Sequence, residues 1–325
     1  MPKNPKCFFN NTVVEFCSSI QEGLPLSVAP YLAVIIEGIL AAAATQCPVT
    51  ICHYLFMGNH FHMIVVVQNP ADIPRFMRYV KCELGHAINR LLGRNQRSVW
   101  VSGYDSVIVL DPVKAIERIA YLYLNPVSAD LVDKTSEYPG VSSYQALLSG
   151  GLTKTCKKVS RDDIPKIPAA QLSLEAQQEL ANSLLENKGQ DYTLTVCPWA
   201  FLSCFNQAQS SEIKHYKQEL LKIIKDREHG LRIKRKGPVF GAHALKLNHP
   251  KHAYNSKRSG LKMICMSCDV ELRKTFISWF KGQADLARSA FSAWKSGNFQ
   301  LKPPPGFFAP GGSLLASALL PLALA

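Results

Sequence analysis

The feature that most narrows the folds open to this chain is a pair of β-rich runs on either side of a two-residue turn signal. Residues 49–57 and 60–67 are dominated by β-branched and aromatic side chains, and Gly58-Asn59 separates them. Such a pattern predicts a tight antiparallel hairpin. The flanking sequence supplies its neighbours. Residues 7–20, with Phe8, Phe9, Val13, Val14 and Phe16, predict another strand region, and residues 99–110 a further one interrupted at Gly103. Between them lie helical stretches at 27–45, with Ser27 as a possible cap and Pro30 in the first turn, and at 73–92, with Asp72 as cap. Asp111-Pro112 opens a third helix, expected to end near Asn125 because a residue before proline is pushed out of helical geometry. The order strand, helix, hairpin, helix, strand, helix predicts an α+β domain over residues 1–150, with an antiparallel sheet covered by helices on at least one face.

Beyond it the pattern changes. Residues 151–170 are rich in Lys, Pro, Ser and Thr and read as a linker. Residues 171–310 form a basic, mainly helical region, with helices expected at 171–188, 210–228 and 269–295 and a basic loop containing Arg232, Lys234, Arg235 and Lys236. Phe276, Trp279, Phe280, Ala287, Phe291 and Trp294 recur at helical spacing, which predicts a core stripe. Residues 311–325 read as an apolar, disordered tail, too short and too broken by Pro321 to span a bilayer.

The charge follows the same division. The net charge is +13. Residues 1–150 hold 11 basic and 11 acidic side chains, whereas the remainder holds 26 and 13. All the excess lies in the second half, which favours a polyanion held there and chemistry done elsewhere. The ten cysteines are irregularly spaced, and Cys265 with Cys268 is a lone CxxC without the second pair a zinc cage requires. The start Met1-Pro2-Lys3-Asn4 carries no export pattern, so reduced thiols and a cytoplasmic location are expected, with no membrane association.

His60-Phe61-His62 opens the second hairpin strand, and i and i+2 on a strand share a face, so both imidazoles can reach one metal ion. A second histidine in so apolar a strand is costly without a partner. Tyr121 and Asn125 are i and i+4 on the third helix and share a face, with Glu117 one turn earlier and Tyr123 on another face. A tyrosine hydroxyl, with an ordinary pKa of about 10, attacks only when a cation assists it. A two-histidine metal site supplies that help by polarising and orienting a phosphate, and the Asn125 amide oxygen can complete the metal shell.

These residues fall into blocks that resemble a family. Met57-Gly-Asn-His60-Phe-His62-Met-Ile is similar to the M-P-N-H-x-H-L-hydrophobic signature of the REP-associated tyrosine transposases and their insertion-sequence-200-like relatives. Tyr121-Leu-Tyr-Leu-Asn125-Pro126-Val-Ser-Ala-Asp-Leu-Val resembles the Y-x-x-x-N-P-V-x-A-G-L-V block, and Tyr138-Pro-Gly-Val-Ser142-Ser143-Tyr the Y-P-W-S-S-Y tail. The three blocks stand in family order within residues 5–150. Leu301-Lys-Pro-Pro-Pro-Gly306 also resembles the ending of longer members, less specifically. Gly58 stands where the family has proline, Asp130 where it has glycine, and Gly140-Val141 where it has one tryptophan.

The resemblance implies a ferredoxin-like antiparallel sheet of the HUH endonuclease type. It makes His60, His62 and Asn125 ligands of Mg2+ or Mn2+. It makes Tyr121 the nucleophile that cleaves and rejoins single-stranded DNA through a 5′-phosphotyrosine link. The implied partner is a hairpin or palindromic repeat, with the protein a monomer or a homodimer; the charge of the second half, densest at Arg232, Lys234, Arg235 and Lys236, is expected to hold its phosphates. Two other readings stand beside it: an idle or domesticated protein that binds DNA hairpins without cutting, and a metal-dependent RNA endonuclease that forms no covalent intermediate.

Overall fold

The structure is a computed structural model that describes residues 5–26, 28–95, 97–168, 170–250, 252 and 263–308. The proposed Ser27 cap and the tail 311–325 lie outside the described residues.

The first half is built as β1 (Thr12–Ser19), α1 (Pro30–Gln46), β2 (Thr50–Met57), β3 (His60–Val67), α2 (Asp72–Leu92), β4 (Asp105–Val109) and α3 (Pro112–Ser128). β2 and β3 form the antiparallel hairpin, with Met57 opposite His60. β1 inserts beside β3, and β4 beside β1, both antiparallel. The sheet therefore runs β2-β3-β1-β4 in a βαββαβ chain, the ferredoxin-like arrangement.

Alternation along the strands gives the sheet two faces. Val14 and Phe16 of β1, and Phe61, Met63 and Val65 of β3, join the core formed with α1 and α2. Val13, Ile64 and Val66 join a second core formed with α3. Helices thus cover both faces, and α3 covers the one that α1 and α2 leave bare.

After α3 come the short α4 (Tyr144–Ser149), β5 (Leu152–Val159), α5 (Leu174–Glu186), β6 (Gly189–Val196), α6 (Ser210–Lys234), α7 (Ala242–Lys246), β7 (Cys265–Met266) and α8 (Val270–Lys295). Three expectations change here. Residues 151–170 are not a plain linker, because β5 pairs antiparallel with β6 along its whole length. Its Lys and Thr side chains hid an apolar set in which Cys156 and Val159 are buried. The ribbon packs on α1 at Gly38, where a Cβ would strike the Lys157 carbonyl. Second, the region beyond residue 150 is helical but not separate. β7 adds to β4 in parallel, making the five-stranded sheet mixed rather than purely antiparallel. Phe307 bridges to Cys7, and Gly306, at φ +83, lies so close to Phe9 that no side chain fits. Third, the helix expected at 210–228 continues to Lys234, so the basic run begins inside it.

The long α8 appears where its aromatic spacing placed it, capped by Asp269, with Phe276 and Phe280 buried and Trp279 packed on Phe9, but the core stripe stops short of Trp294, which is exposed in the last turn. Among the described residues, no helix is long and apolar enough to cross a membrane.

Candidate active site beneath helix α3

Asp111 fixes the start of α3 twice over. One carboxylate oxygen accepts from the Lys114 amide (2.7 Å), as a helix cap does, and the other accepts from the Cys268 amide (2.7 Å) just before α8. The helix does not stop at Asn125. It runs through Pro126 to Ser128. Proline at 126 removes the amide that would have reached the Leu122 carbonyl. The Asn125 side chain fills that gap, its Nδ2 donating to Leu122 O (3.2 Å) and Tyr121 O (3.0 Å). Asn125 thus has a structural task that the sequence did not reveal, and its amide oxygen is the atom left over for a ligand. No hydrogen bond joins Asn125 to either histidine among the described residues.

Tyr121 is 43% exposed, whereas Tyr123, two residues on, is fully buried. The Tyr121 ring meets the edge of the His62 ring at a centroid distance of 5.8 Å. His60 and His62 lie together on the α3 face of β3, with ring centroids 5.2 Å apart. Each imidazole is anchored through the same nitrogen. His60 Nδ1 donates to Asn59 Oδ1 (2.7 Å), and His62 Nδ1 donates to Glu15 Oε1 (3.2 Å). With Nδ1 carrying the proton, Nε2 is the lone-pair nitrogen on both rings when they are neutral. Outer partners of this kind orient metal-binding histidines.

Glu15 is buried on β1 and also receives Arg118 in a two-pronged pair, from Nε to Oε2 (2.6 Å) and from Nη2 to Oε1 (2.8 Å). Arg118 in turn lies over the Tyr121 ring, 4.1 Å from Cζ to the centroid. Tyr121, Arg118, Glu15 and His62 therefore form one continuous chain of contacts from α3 across β1 to β3.

The two imidazoles titrate in opposite directions. Burial, aided by the charge of His62, pushes His60 down to about 3. Burial also opposes charge on His62, but hydrogen bonds with Cys17 and Glu15 outweigh it and raise this imidazole to about 9. Burial likewise disfavours a charged Glu15, yet the bonds from His62 and Arg118 prevail and hold its carboxyl below the usual range. An ion binding His62 at Nε2 has to displace a proton there.

Glu117 is turned aside, paired with Lys114 at 2.6 Å. The basic run divides. Arg232 and Lys234 are exposed in the last turn of α6, and Lys236 is exposed just beyond it. Arg235, expected to face DNA, instead caps α6 and pairs with Asp130 Oδ1 (2.7 Å) and with Asp133, leaving its side chain only 8% exposed. Asp130 sits at φ +53, a conformation that glycine takes most easily and aspartate tolerates. Its carboxylate is one of the two that hold Arg235.

Sequence reasoning missed Glu15, Asn59 and Arg118. A lone carboxylate in the apolar run Thr12–Phe16 was the available signal for Glu15, because such a charge is costly without a partner. Arg118, three residues before Tyr121 and therefore on its face, was the signal for the other end. Among the described residues, no three His, Cys, Asp or Glu side chains form a ready-made metal cage.

No protein-family model matches the chain, and no curated protein does. Among solved structures, it is similar to a REP-associated tyrosine transposase bound to a REP hairpin, at 15% identity and a TM-score of 0.41, over 46% of this chain and 86% of that one. It is also similar to a protein described as a transposase from Deinococcus radiodurans R1, at 15% identity and a TM-score of 0.26, over 33% of this chain and 85% of that one.

Proposed function

We propose that the chain is a DNA strand transferase of the single-tyrosine HUH type, which cuts and rejoins single-stranded DNA through Tyr121. The observation that carries this reading is the placement of an exposed tyrosine against His62, which lies beside His60, with both imidazoles anchored at Nδ1. The three sequence blocks support it independently.

Tyr121 would attack a backbone phosphorus. A bond forms between its phenolic oxygen and phosphorus, and the bond from phosphorus to the 3′-oxygen breaks. The phenol proton is lost, and the departing 3′-oxygen gains one. A 5′-phosphotyrosine and a free 3′-hydroxyl result, and attack by a 3′-hydroxyl reverses the step. Arg118 assists, because a guanidinium over the ring face stabilises the electron-rich phenolate. Glu15 positions it and orients His62 at the same time. A divalent ion, Mg2+ or Mn2+, held by His60 and His62 with the amide oxygen of Asn125 would polarise the phosphate. The exposed Arg232, Lys234 and Lys236 are candidate phosphate contacts for the bound strand.

The test is incubation of the protein with an end-labelled single-stranded DNA hairpin and Mn2+, followed by a denaturing gel. A covalent protein–DNA band is expected. Binding without that band would leave a hairpin-binding protein, and cleaved product without it would leave an ordinary nuclease.

A further inference from the structure

Cys17 lies opposite His62 in the β1–β3 pairing and on the same face of the sheet, two residues from Glu15. Its thiol lies beside the second ring nitrogen of His62, with Sγ 3.9 Å from Nε2. Nothing in the phosphotyrosine chemistry uses it.

We propose that Cys17 is a third protein ligand of the His60–His62 site, so that the site accepts a thiophilic divalent ion of the zinc class in a tetrahedral shell. This rests on reading the two histidines as metal ligands.

The geometry supports it. Zinc bonds sulfur at about 2.3 Å and imidazole nitrogen at about 2.0–2.1 Å, so tetrahedral angles put sulfur and nitrogen about 3.6 Å apart. Right-angled ligands of an octahedral ion at the same bond lengths would be about 3.1 Å apart. The observed 3.9 Å is longer than either, so the thiol has to move closer before it shares an ion with His62. The ligand chemistry agrees, because two imidazoles and a thiolate suit zinc, whereas magnesium prefers oxygen. The three groups do not form a closed cage in the structure. Cys17 is half-exposed and turns about a single side-chain torsion, so a small rotation can close the set. On binding, the thiol and the His62 imidazolium each lose a proton to solvent. Three protein ligands leave one position for water or a phosphate oxygen, as open zinc sites do. The site then has two shells. One is harder, using the Asn125 oxygen, and the other is softer, using Cys17.

Cobalt(II) reports the difference directly. It is added to metal-free, full-length protein under reducing, oxygen-free conditions while the absorption spectrum is recorded. The expected result is tetrahedral visible bands together with a near-ultraviolet sulfur-to-cobalt band, all removed by added zinc. In Cys17→Ser and Cys17→Ala the sulfur band should vanish while weaker visible bands persist. Zinc affinity should fall by at least about 100-fold, since even loss of an outer partner costs 10–100-fold. Circular dichroism shows whether the variants keep the fold. A sulfur band that survives in both folded variants, or visible bands without any sulfur band in the wild type, overturns the role of Cys17 and leaves the histidine site standing. No cobalt binding at all overturns the metal reading of His60 and His62 itself.

Discussion

Two histidine–tyrosine pairs lie beneath α3, and they are built for opposite purposes. His53 of β2 and Tyr123 are fully buried, and every polar atom has a partner. His53 Nε2 donates to the Pro198 carbonyl (2.9 Å), which can only accept, so Nδ1 accepts and the Tyr123 hydroxyl donates to it (2.8 Å). Ser143 Oγ lies 2.9 Å from Tyr123 and also receives the Tyr54 amide. This closed chain ties α3 to β2 and to the segment after β6. His62 and Tyr121, less than one helical turn away, sit at the open end. There a tyrosine ring is exposed, and the Nε2 of His62 meets the thiol of Cys17 at 3.9 Å. The same two residue types serve as a clamp where saturated and as a candidate reaction centre where left open. Exposure of the tyrosine, not residue type, separates the roles, because both histidines are buried.

The largest effect should come from breaking the open pair. Tyr121→Phe should abolish the covalent DNA band while leaving hairpin binding intact. Its stability should change by no more than about 0.5 kcal/mol, since the side chain is an exposed surface group. A covalent band of wild-type strength in this variant would remove Tyr121 as nucleophile.

The closed pair should respond the other way. Tyr123→Phe removes the only donor to His53 Nδ1 among the described residues and unsettles Ser143. That should cost about 1–3 kcal/mol in denaturant unfolding, the range for an orphaned buried polar group. The covalent band should persist at temperatures where the variant is folded. Loss of the band in folded Tyr123→Phe would erase the distinction between the two tyrosines.

Acid sharpens the contrast. Burial pushes the His53 imidazole down to about 3, only partly offset by its bond to Pro198. Its folded pKa lies below the unfolded value near 6.5, so the unfolded chain binds the extra proton between those values. The contribution is complete above pH 6.5 and is lost as pH falls toward 3. The slope is at most about 1.4 kcal/mol per pH unit. His60, also pushed down to about 3, adds a similar slope. Unfolding free energies at pH 7 and pH 5 should therefore differ less in His53→Gln than in the wild type. An unchanged difference would mean that His53 binds its proton as readily in the folded protein as in the unfolded chain.

What the sequence disclosed follows the same line. The β2–β3 hairpin stood out because a dipeptide turn and two β-branched runs are local signals, and the histidine pair was legible because strand alternation is a local rule. β5 was hidden because Lys and Thr look like linker chemistry until α1 offers a surface for Cys156 and Val159. The reach of α3 past Pro126 was hidden because its remedy is a side-chain bond from Asn125. Glu15 and Arg118 act on His62 and Tyr121 across the sheet, a relation no spacing along the chain expresses.

The smallest effect concerns the end of α6, where saturated and open groups again stand side by side. Arg232, Lys234 and Lys236 are exposed, whereas Arg235 is held by Asp130 and Asp133. Removing one cationic side chain that meets a phosphate should flatten the log–log salt dependence of single-strand binding by roughly 0.7. Arg232→Ala, Lys234→Ala and Lys236→Ala combined should therefore weaken hairpin binding about evenly across sequences and reduce the slope by up to about 2. Arg235→Ala should leave the slope unchanged and instead lower the thermal midpoint, because two carboxylates near the junction of α3 and α6 are left without their partner. Titration of one labelled hairpin at several salt concentrations, with a melting curve for each protein, separates the two. A flatter slope in Arg235→Ala, or parallel lines for the triple variant and the wild type, would reverse the assignment: the paired arginine would then be the one that meets DNA, and the exposed run only a solvated helix end.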